Sequence, residues 1–429
     1  MSEADRETVI WVSVAELSGD MHAAELVATL HRQRPDLLFR GIAGPGLRQL
    51  CSEAGSRLTS VETGYSAAPV GSDASGVSTP LTESVLACPP SVSPVLAGTV
   101  AAPQFVELFG IEQLSIMGGT EVLSALPRIF RMWATIRRDF VRRRPAALIV
   151  VDAPDFNFKI VKMAHSLGIP VYYYISPKIW AWRSGRARFL KRHVRKILSI
   201  LPFEPQFYRN FGMTVPYVGN PLVAAMDLPA LDKIEVVPGR IGLMPGSRKK
   251  EVNTLLPLFA RAAALVRQVR PDTVFHCIQA PGIAAATLLR LWQSDIPLVL
   301  EPAEERYRFM SSCDCILAAS GTAVLECALA GAPTVVTYKL SALSGYLAAK
   351  LLNVRFVSLP NLIMDREVFP ELLQHNARPE LMAEWILRWL NEPEARREVE
   401  LDLQEIRNRL GSLSAPNEAA RIILEDCNL

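Results

Sequence analysis

The chain has 429 residues, half of them hydrophobic and 21% charged, a balance that fits a globular protein with a large core and excludes wholesale disorder. That length exceeds the roughly 100 to 200 residues of one domain, so two domains are expected. The net charge of +3 is too small to argue for nucleic acid, and no apolar run reaches the ~20 residues that span a bilayer, so no nucleic-acid partner is expected and any membrane contact should be peripheral.

The N-terminus opens acidic, with Glu3 and Asp5 where an export signal carries basic residues. The seven cysteines are odd in number and lack CxxC spacing. A disulfide framework or zinc site is therefore not expected, and a cytoplasmic, reducing location is. From there, apolar β-branched runs alternate with helix-period segments, the signature of parallel sheets wrapped by helices. In the first half the pattern predicts strands over Val9–Ala15, Phe39–Ala43, Ala147–Val151, Val171–Ile175 and Ile197–Leu201. The series restarts after Pro221 with strands predicted over Ile241–Met244, Val274–Gln279, Leu298–Leu300, Cys315–Ala318 and Thr334–Tyr338. Residues 222–239, with Pro229 and Pro238, are expected to link the domains, and helices are predicted from about Pro379 onward. Residues 59–104 are rich in Ser, Ala, Pro, Gly, Thr and Val without periodicity, and read as an inserted low-complexity segment.

The first strand runs into Glu16-Leu17-Ser18-Gly19-Asp20, where a strand-to-helix turn offers backbone amides to a ligand; Ser18 and Asp20 could equally be helix caps. Between Arg128 and Arg144 seven arginines stand against the single Asp139, interleaved with Ile129, Phe130, Met132, Trp133, Ile136 and Phe140. That mixture suits an anionic bilayer surface, or a solvated face whose apolar stripe packs on the sheet. After the next strand, Asp152-Ala153-Pro154-Asp155 places Asp152 at a strand end, where it could be a general base or, with Asp155, a helix cap. The turn Ser176-Pro177-Lys178-Ile179-Trp180-Ala181-Trp182-Arg183 gathers rings and cations suited to a sugar phosphate.

In the second half, Gly246, Ser247 and Arg248 form a turn that leads into a helix and suits a diphosphate. Ser320-Gly321-Thr322 opens another helix, on which Glu326 lies one turn below Thr322 and is placed for the ribose hydroxyls of a nucleotide. No DxD tripeptide occurs, so a bound metal is not expected, nor any other cofactor.

These segments, together with Ile116-Met117-Gly118, Glu121-Val122-Leu123, Leu201-Pro202-Phe203-Glu204 and Leu359-Pro360-Asn361, resemble the ordered motif set of the lipid A disaccharide synthase family over nearly the whole chain outside the insertion. The resemblance implies an α/β fold of GT-B type: two Rossmann-like domains with a cleft between them, and a C-terminal helix crossing back. On that scheme residues 1–221 form the acceptor and membrane-side domain, 222–378 the UDP-sugar domain, and 379–429 helices that pack back on the first domain. It implies inverting, metal-independent transfer of 2,3-diacylglucosamine from UDP-2,3-diacylglucosamine to 2,3-diacylglucosamine 1-phosphate, on the cytoplasmic face of the inner membrane. Asp152 matches the catalytic aspartate and Arg248 the diphosphate-binding arginine. Gly246, Ser247, Ser320, Gly321, Thr322, Glu326 and Asn361 fall on the donor side. Glu16, Ser18, Gly19, Asp20, Met117, Gly118, Ser176, Trp180, Trp182 and Arg183 fall on the acceptor side. Ala15, Gly46-Leu47, Gly119-Thr120 and Asn220 depart from the family pattern. Self-association into a homodimer stays open. The rival readings are another inverting GT-B transferase, a UDP-sugar epimerase, and a non-catalytic lipid- or nucleotide-binding relative.

Overall fold

The computed structural model describes residues 7–53, 59–60, 102–115, 122–182, 184–339 and 354–429. The described residues form two compact units, one holding those up to Pro221 together with Leu413–Leu429, the other Leu222–Ser412.

The first unit is built on strands β1 (Val9–Ser13), β2 (Leu38–Ala43), β3 (Thr59–Ser60), β4 (Gln104–Gly110), β5 (Ala147–Val151), β6 (Val171–Tyr174) and β7 (Lys196–Leu198). They pair in the order β3-β4-β2-β1-β5-β6-β7, every pair parallel. All residues of β1, β5 and β6 are buried, because helices cover both faces of a parallel sheet; this is why they read as unbroken apolar runs. Strand β4 was not predicted, since it borders the low-complexity insertion. Of that insertion only Thr59–Ser60 and its last residues are described, and the rest lies outside the described residues.

Trp11 of β1 is fully buried and donates its indole N–H to Asp139 at 3.0 Å, while Arg40 of β2 grips the same carboxylate with contacts of 2.6 and 3.2 Å. Asp139, the lone acid of the arginine-rich stretch, thus pins the Val122–Arg143 helix to the sheet.

The second unit carries β8 (Val237–Met244), β9 (Val274–Gln279), β10 (Leu298–Pro302), β11 (Cys313–Ala319), β12 (Thr334–Tyr338) and β13 (Glu371–Leu373) in the parallel order β10-β9-β8-β11-β12-β13. The expected linker is partly regular: it holds helices Pro221–Ala225 and Leu228–Leu231, and β8 begins inside it at Val237. Residues 379–429 do not pack back on the first domain as a whole. Helices Pro379–Asn391 and Pro393–Leu410 bury Met382, Ile386, Trp389, Leu403 and Ile406 in the second unit. Helix Ala415–Cys427 alone packs on the Leu17–Gln33 helix of the first unit, where Asp426 meets Arg195 at 2.5 Å and the Tyr172 hydroxyl at 2.6 Å.

Candidate active site

In the first unit the candidate chemistry lies where β5 ends. Asp152 and Ala153 have φ of 43° and 42°, a left-handed pair that L residues adopt only when held. The holding groups are visible. Asn157 donates to the carbonyls of Val151 and Asp152 at 3.1 and 2.8 Å, and the Tyr173 hydroxyl donates to the Asp152 carbonyl at 2.6 Å. Ser13 fixes Asn157 in turn, its hydroxyl 2.7 Å from Oδ1. The N-cap of the following helix is Ala153, which has no side-chain bond to give, and Asp155 pairs with Arg186 at 2.5 Å. Burial raises the Asp152 carboxyl above its ordinary value, opposed first by the positive charge of Lys178, then by the Ala153 amide and least by His22. A half-buried carboxylate of raised basicity, aimed by strained backbone, is equipped to take a proton from a hydroxyl.

The Glu16-to-Asp20 turn abuts this strand end, since a Cβ on Gly19 would lie 3.6 Å from Val151. Glu16 and Ser18 are exposed there. Asp20 is not: its carboxylate is buried and accepts the amides of Gly44, Gly46 and Leu47 at 2.8, 2.6 and 3.4 Å, so it clamps the start of the Pro45–Glu53 helix. Gly44 is required for this clamp, because a Cβ would fall 2.5 Å from Asp20 Cγ.

The predicted ring-and-cation turn also divides. Ser176 is buried with its hydroxyl 2.5 Å from that of Tyr208, and buried Trp180 donates to Glu204 at 3.1 Å. Both hold the turn together rather than facing a ligand, whereas Lys178 is exposed beside Asp152. Met117, Gly118, Arg183 and the Trp182 side chain lie outside the described residues.

In the second unit a pocket of 470 Å³ opens at the carboxyl ends of β8, β9, β10 and β11, the place where ligands of such sheets bind. Its wall includes Gly246, Ser247, Arg248, Ser320, Gly321, Thr322 and Glu326, so the sequence-predicted donor residues converge with one exception. Gly246 has φ +103°, and a Cβ on it would meet Glu251 Oε2 at 2.5 Å, so only glycine fits. Glu251 also accepts the Arg248 amide at 3.4 Å and its guanidinium at 3.2 Å, fixing the start of the Lys249–Val269 helix. No side chain caps the Thr322–Leu329 helix at Gly321; the Val324 amide donates to the Gly321 carbonyl at 3.2 Å, and the Thr322 and Ala323 amides at the pocket wall are of the kind that can serve an anion.

Asn361 is the exception. Its side chain is wholly buried and committed: Nδ2 donates to the Phe369 carbonyl and Glu371, each at 2.8 Å, and Oδ1 accepts the amides of Val368 and Phe369. All its hydrogen-bonding capacity braces the Leu359–Met364 helix, and it does not line the pocket. Arg306 and Glu304, which the sequence reading missed, do line it; their position just past a strand end was the available signal. A larger groove of 580 Å³ runs along helices Lys249–Val269 and Pro379–Asn391, but Glu380, Glu384 and Glu392 against Arg388 make it unsuited to a diphosphate. Among the described residues no group of three or more His, Cys, Asp or Glu could hold a metal, and no helix is long and apolar enough to cross a membrane.

The family model for lipid-A-disaccharide synthetase matches residues 96–425. The lipid-A-disaccharide synthase of Myxococcus xanthus is 36% identical over 97% of both chains, and that of Geobacter sulfurreducens 31% identical over 97% of this chain and 96% of its own. The chain belongs to the lipid-A-disaccharide synthetase family. It is accordingly a glycosyltransferase, with the lipid-A-disaccharide synthase activity of that family. Solved structures agree in fold. MurG of Acinetobacter baumannii superposes with a TM-score of 0.54 at 14% identity, covering 98% of this chain and 99% of its own. The UDP-GlcNAc 2-epimerase of Neisseria meningitidis, bound to UDP-GlcNAc, gives 0.53 at 11% identity, covering 98% of each. These likenesses establish two Rossmann-like halves of GT-B type and nothing finer. The family match sets aside the readings as a different GT-B transferase or an epimerase.

Proposed function

We propose that the second unit binds UDP-2,3-diacylglucosamine and that Asp152 of the first unit activates the 6-hydroxyl of 2,3-diacylglucosamine 1-phosphate. The hydroxyl proton passes to the Asp152 carboxylate as the oxygen bonds to the anomeric carbon. The bond from that carbon to the diphosphate breaks, and UDP leaves with the electron pair, inverting the centre to a β-1,6 link. Charge growing on the diphosphate is met by Arg248 and by the helix starts at Lys249 and Thr322, without need of a metal. The Gly246 turn, with φ +103° and Glu251 packed against it, leads the backbone into the helix start at Lys249.

One observation carries this reading: the left-handed Asp152-Ala153 pair, braced by Asn157 and Tyr173, presents a carboxylate made more basic by burial. Lys178, exposed beside it, is the candidate partner for the acceptor's phosphate. Both substrates carry acyl chains, so we assign the arginine face of the Val122–Arg143 helix to an anionic inner-membrane surface on the cytoplasmic side. Release of UDP on mixing the purified protein with both acylated substrates tests the whole assignment. Binding of UDP without its release would overturn the assignment of Asp152 and the pocket to this transfer.

A further inference from the structure

The helix Arg306–Ser312 begins just beyond β10, and its first two residues meet Glu326 at the wall of the nucleotide pocket. Arg306 Nη2 donates to the Tyr307 hydroxyl at 2.7 Å, and its guanidinium lies 4.2 Å from the centre of the Tyr307 ring. A phenol oxygen that accepts from arginine keeps its own proton to give, and arginine can only donate. The Tyr307 proton is accordingly directed at Glu326 Oε1, 3.4 Å away, with Arg306 Nε 3.9 Å from the same oxygen. Both donors crowd one carboxylate oxygen. Glu326 itself lines the pocket.

We propose that Arg306 and Tyr307 are positioning residues that hold Glu326 with one oxygen turned to the ribose hydroxyls, so that the pocket selects ribonucleoside over deoxyribonucleoside diphosphates. This rests on the reading of the pocket as the nucleotide site with Glu326 on the ribose. Burial by itself pushes the Glu326 carboxyl above its ordinary value, and a protonated acid there would accept hydroxyls poorly; Arg306 and then Tyr307 oppose that shift. Arg306 also lines the pocket, whereas Tyr307 does not, so removing the Tyr307 hydroxyl perturbs the relay without removing a ligand contact.

Calorimetric titration of the full-length protein with UDP and with 2′,3′-dideoxyuridine diphosphate tests the relay. Wild type should prefer UDP by about tenfold or more, as hydrogen bonds to a charged group allow. Glu326→Gln should bring that ratio close to one. Tyr307→Phe and Arg306→Met should each reduce it by about threefold or more, chiefly through weaker UDP binding. A wild-type ratio in both Tyr307→Phe and Arg306→Met, alongside a collapsed ratio in Glu326→Gln, overturns the relay and leaves the ribose reading standing. A wild-type ratio in Glu326→Gln overturns both. Equal weakening of the two ligands in Tyr307→Phe also overturns the relay, and this variant decides the matter if Arg306→Met does not fold.

Discussion

Trp180 and Glu204 are joined by an indole N–H···carboxylate bond of 3.1 Å inside the first unit, and the same carboxylate accepts the amides of Ile200 and Leu201 at 3.2 and 3.1 Å. The bond ties the turn that carries Lys178 to the Leu201-Pro202-Phe203-Glu204 segment, where Phe203 meets the Trp180 ring edge-on at 5.1 Å. A fully buried acid is thus the anchor of a candidate substrate-binding loop.

Stability should register that acid as a function of pH. Burial lifts the Glu204 carboxyl from 4.5 to about 7, in spite of the donors that favour its ionised form. A folded-state value above the unfolded one means that the native state holds the proton more tightly, so the contribution is full below about 4.5 and is lost as pH rises through about 7. At 1.36 kcal/mol per unit the loss is on the order of 3 kcal/mol. Urea unfolding of wild type and Glu204→Gln across pH 4 to 8 reads it as a stability of wild type that falls relative to the variant as pH rises. A constant difference would show that Glu204 does not titrate in this window.

Asp152→Asn keeps shape and removes the base, so turnover should fall on the order of 10² to 10⁴ with UDP affinity retained. Because the carboxylate is the active form, kcat/KM of wild type should decline as pH falls through the raised Asp152 value. Lys178 is the strongest influence pulling that value down, so Lys178→Met should move the acid limb to higher pH while Lys178→Arg leaves it in place. Near-normal turnover in Asp152→Asn would sink the assignment.

Arg248→Ala should weaken UDP binding and rate together, since a guanidinium on a diphosphate serves ground and transition states alike. Gly246→Ala should lose UDP affinity for a different reason: φ +103° and a Cβ 2.5 Å from Glu251 force the turn to open. Unchanged affinity in either variant by calorimetry would show that this turn does not hold the diphosphate.

The positions of Asp152 at a strand end and of the Gly246 turn before a helix were legible in the sequence, because strand ends, Pro154 and Gly246 are local signals. The roles of Asp20, Trp180 and Asn361 were not. Each stands in a motif that a ligand could explain, yet each spends its polar atoms on protein groups: Asp20 on amides 24 to 27 residues away, Trp180 on Glu204, and Asn361 on Phe369 and Glu371. Pairing of that kind depends on tertiary placement, which spacing along the chain does not encode. The same limit hid β4 and β13, a strand beside the insertion and a three-residue edge.

The Val122–Arg143 helix shows how an apolar stripe and a cationic face share one element. Met132, Ile136 and Phe140 are buried against the sheet, and Asp139 is turned inward to Trp11 and Arg40. With the only acid of the stretch committed inside, Arg137, Arg138, Arg142 and Arg143 are exposed, and Phe130 and Val141 stand 69% and 50% exposed on the same helix. Cations with a few exposed apolar side chains suit an anionic headgroup layer, where each arginine contributes about 1 kcal/mol and salt screens the attraction. The protein should pellet with phosphatidylglycerol vesicles at low salt and release at high salt. Replacing those four arginines by glutamine should abolish pelleting while leaving the Asp139 network, and hence the fold, intact. Exchanging Phe130 for Ser should weaken binding at both salt concentrations, because its contribution is apolar burial and not charge. Pelleting of the quadruple variant at the wild-type level would move the docking surface off this helix.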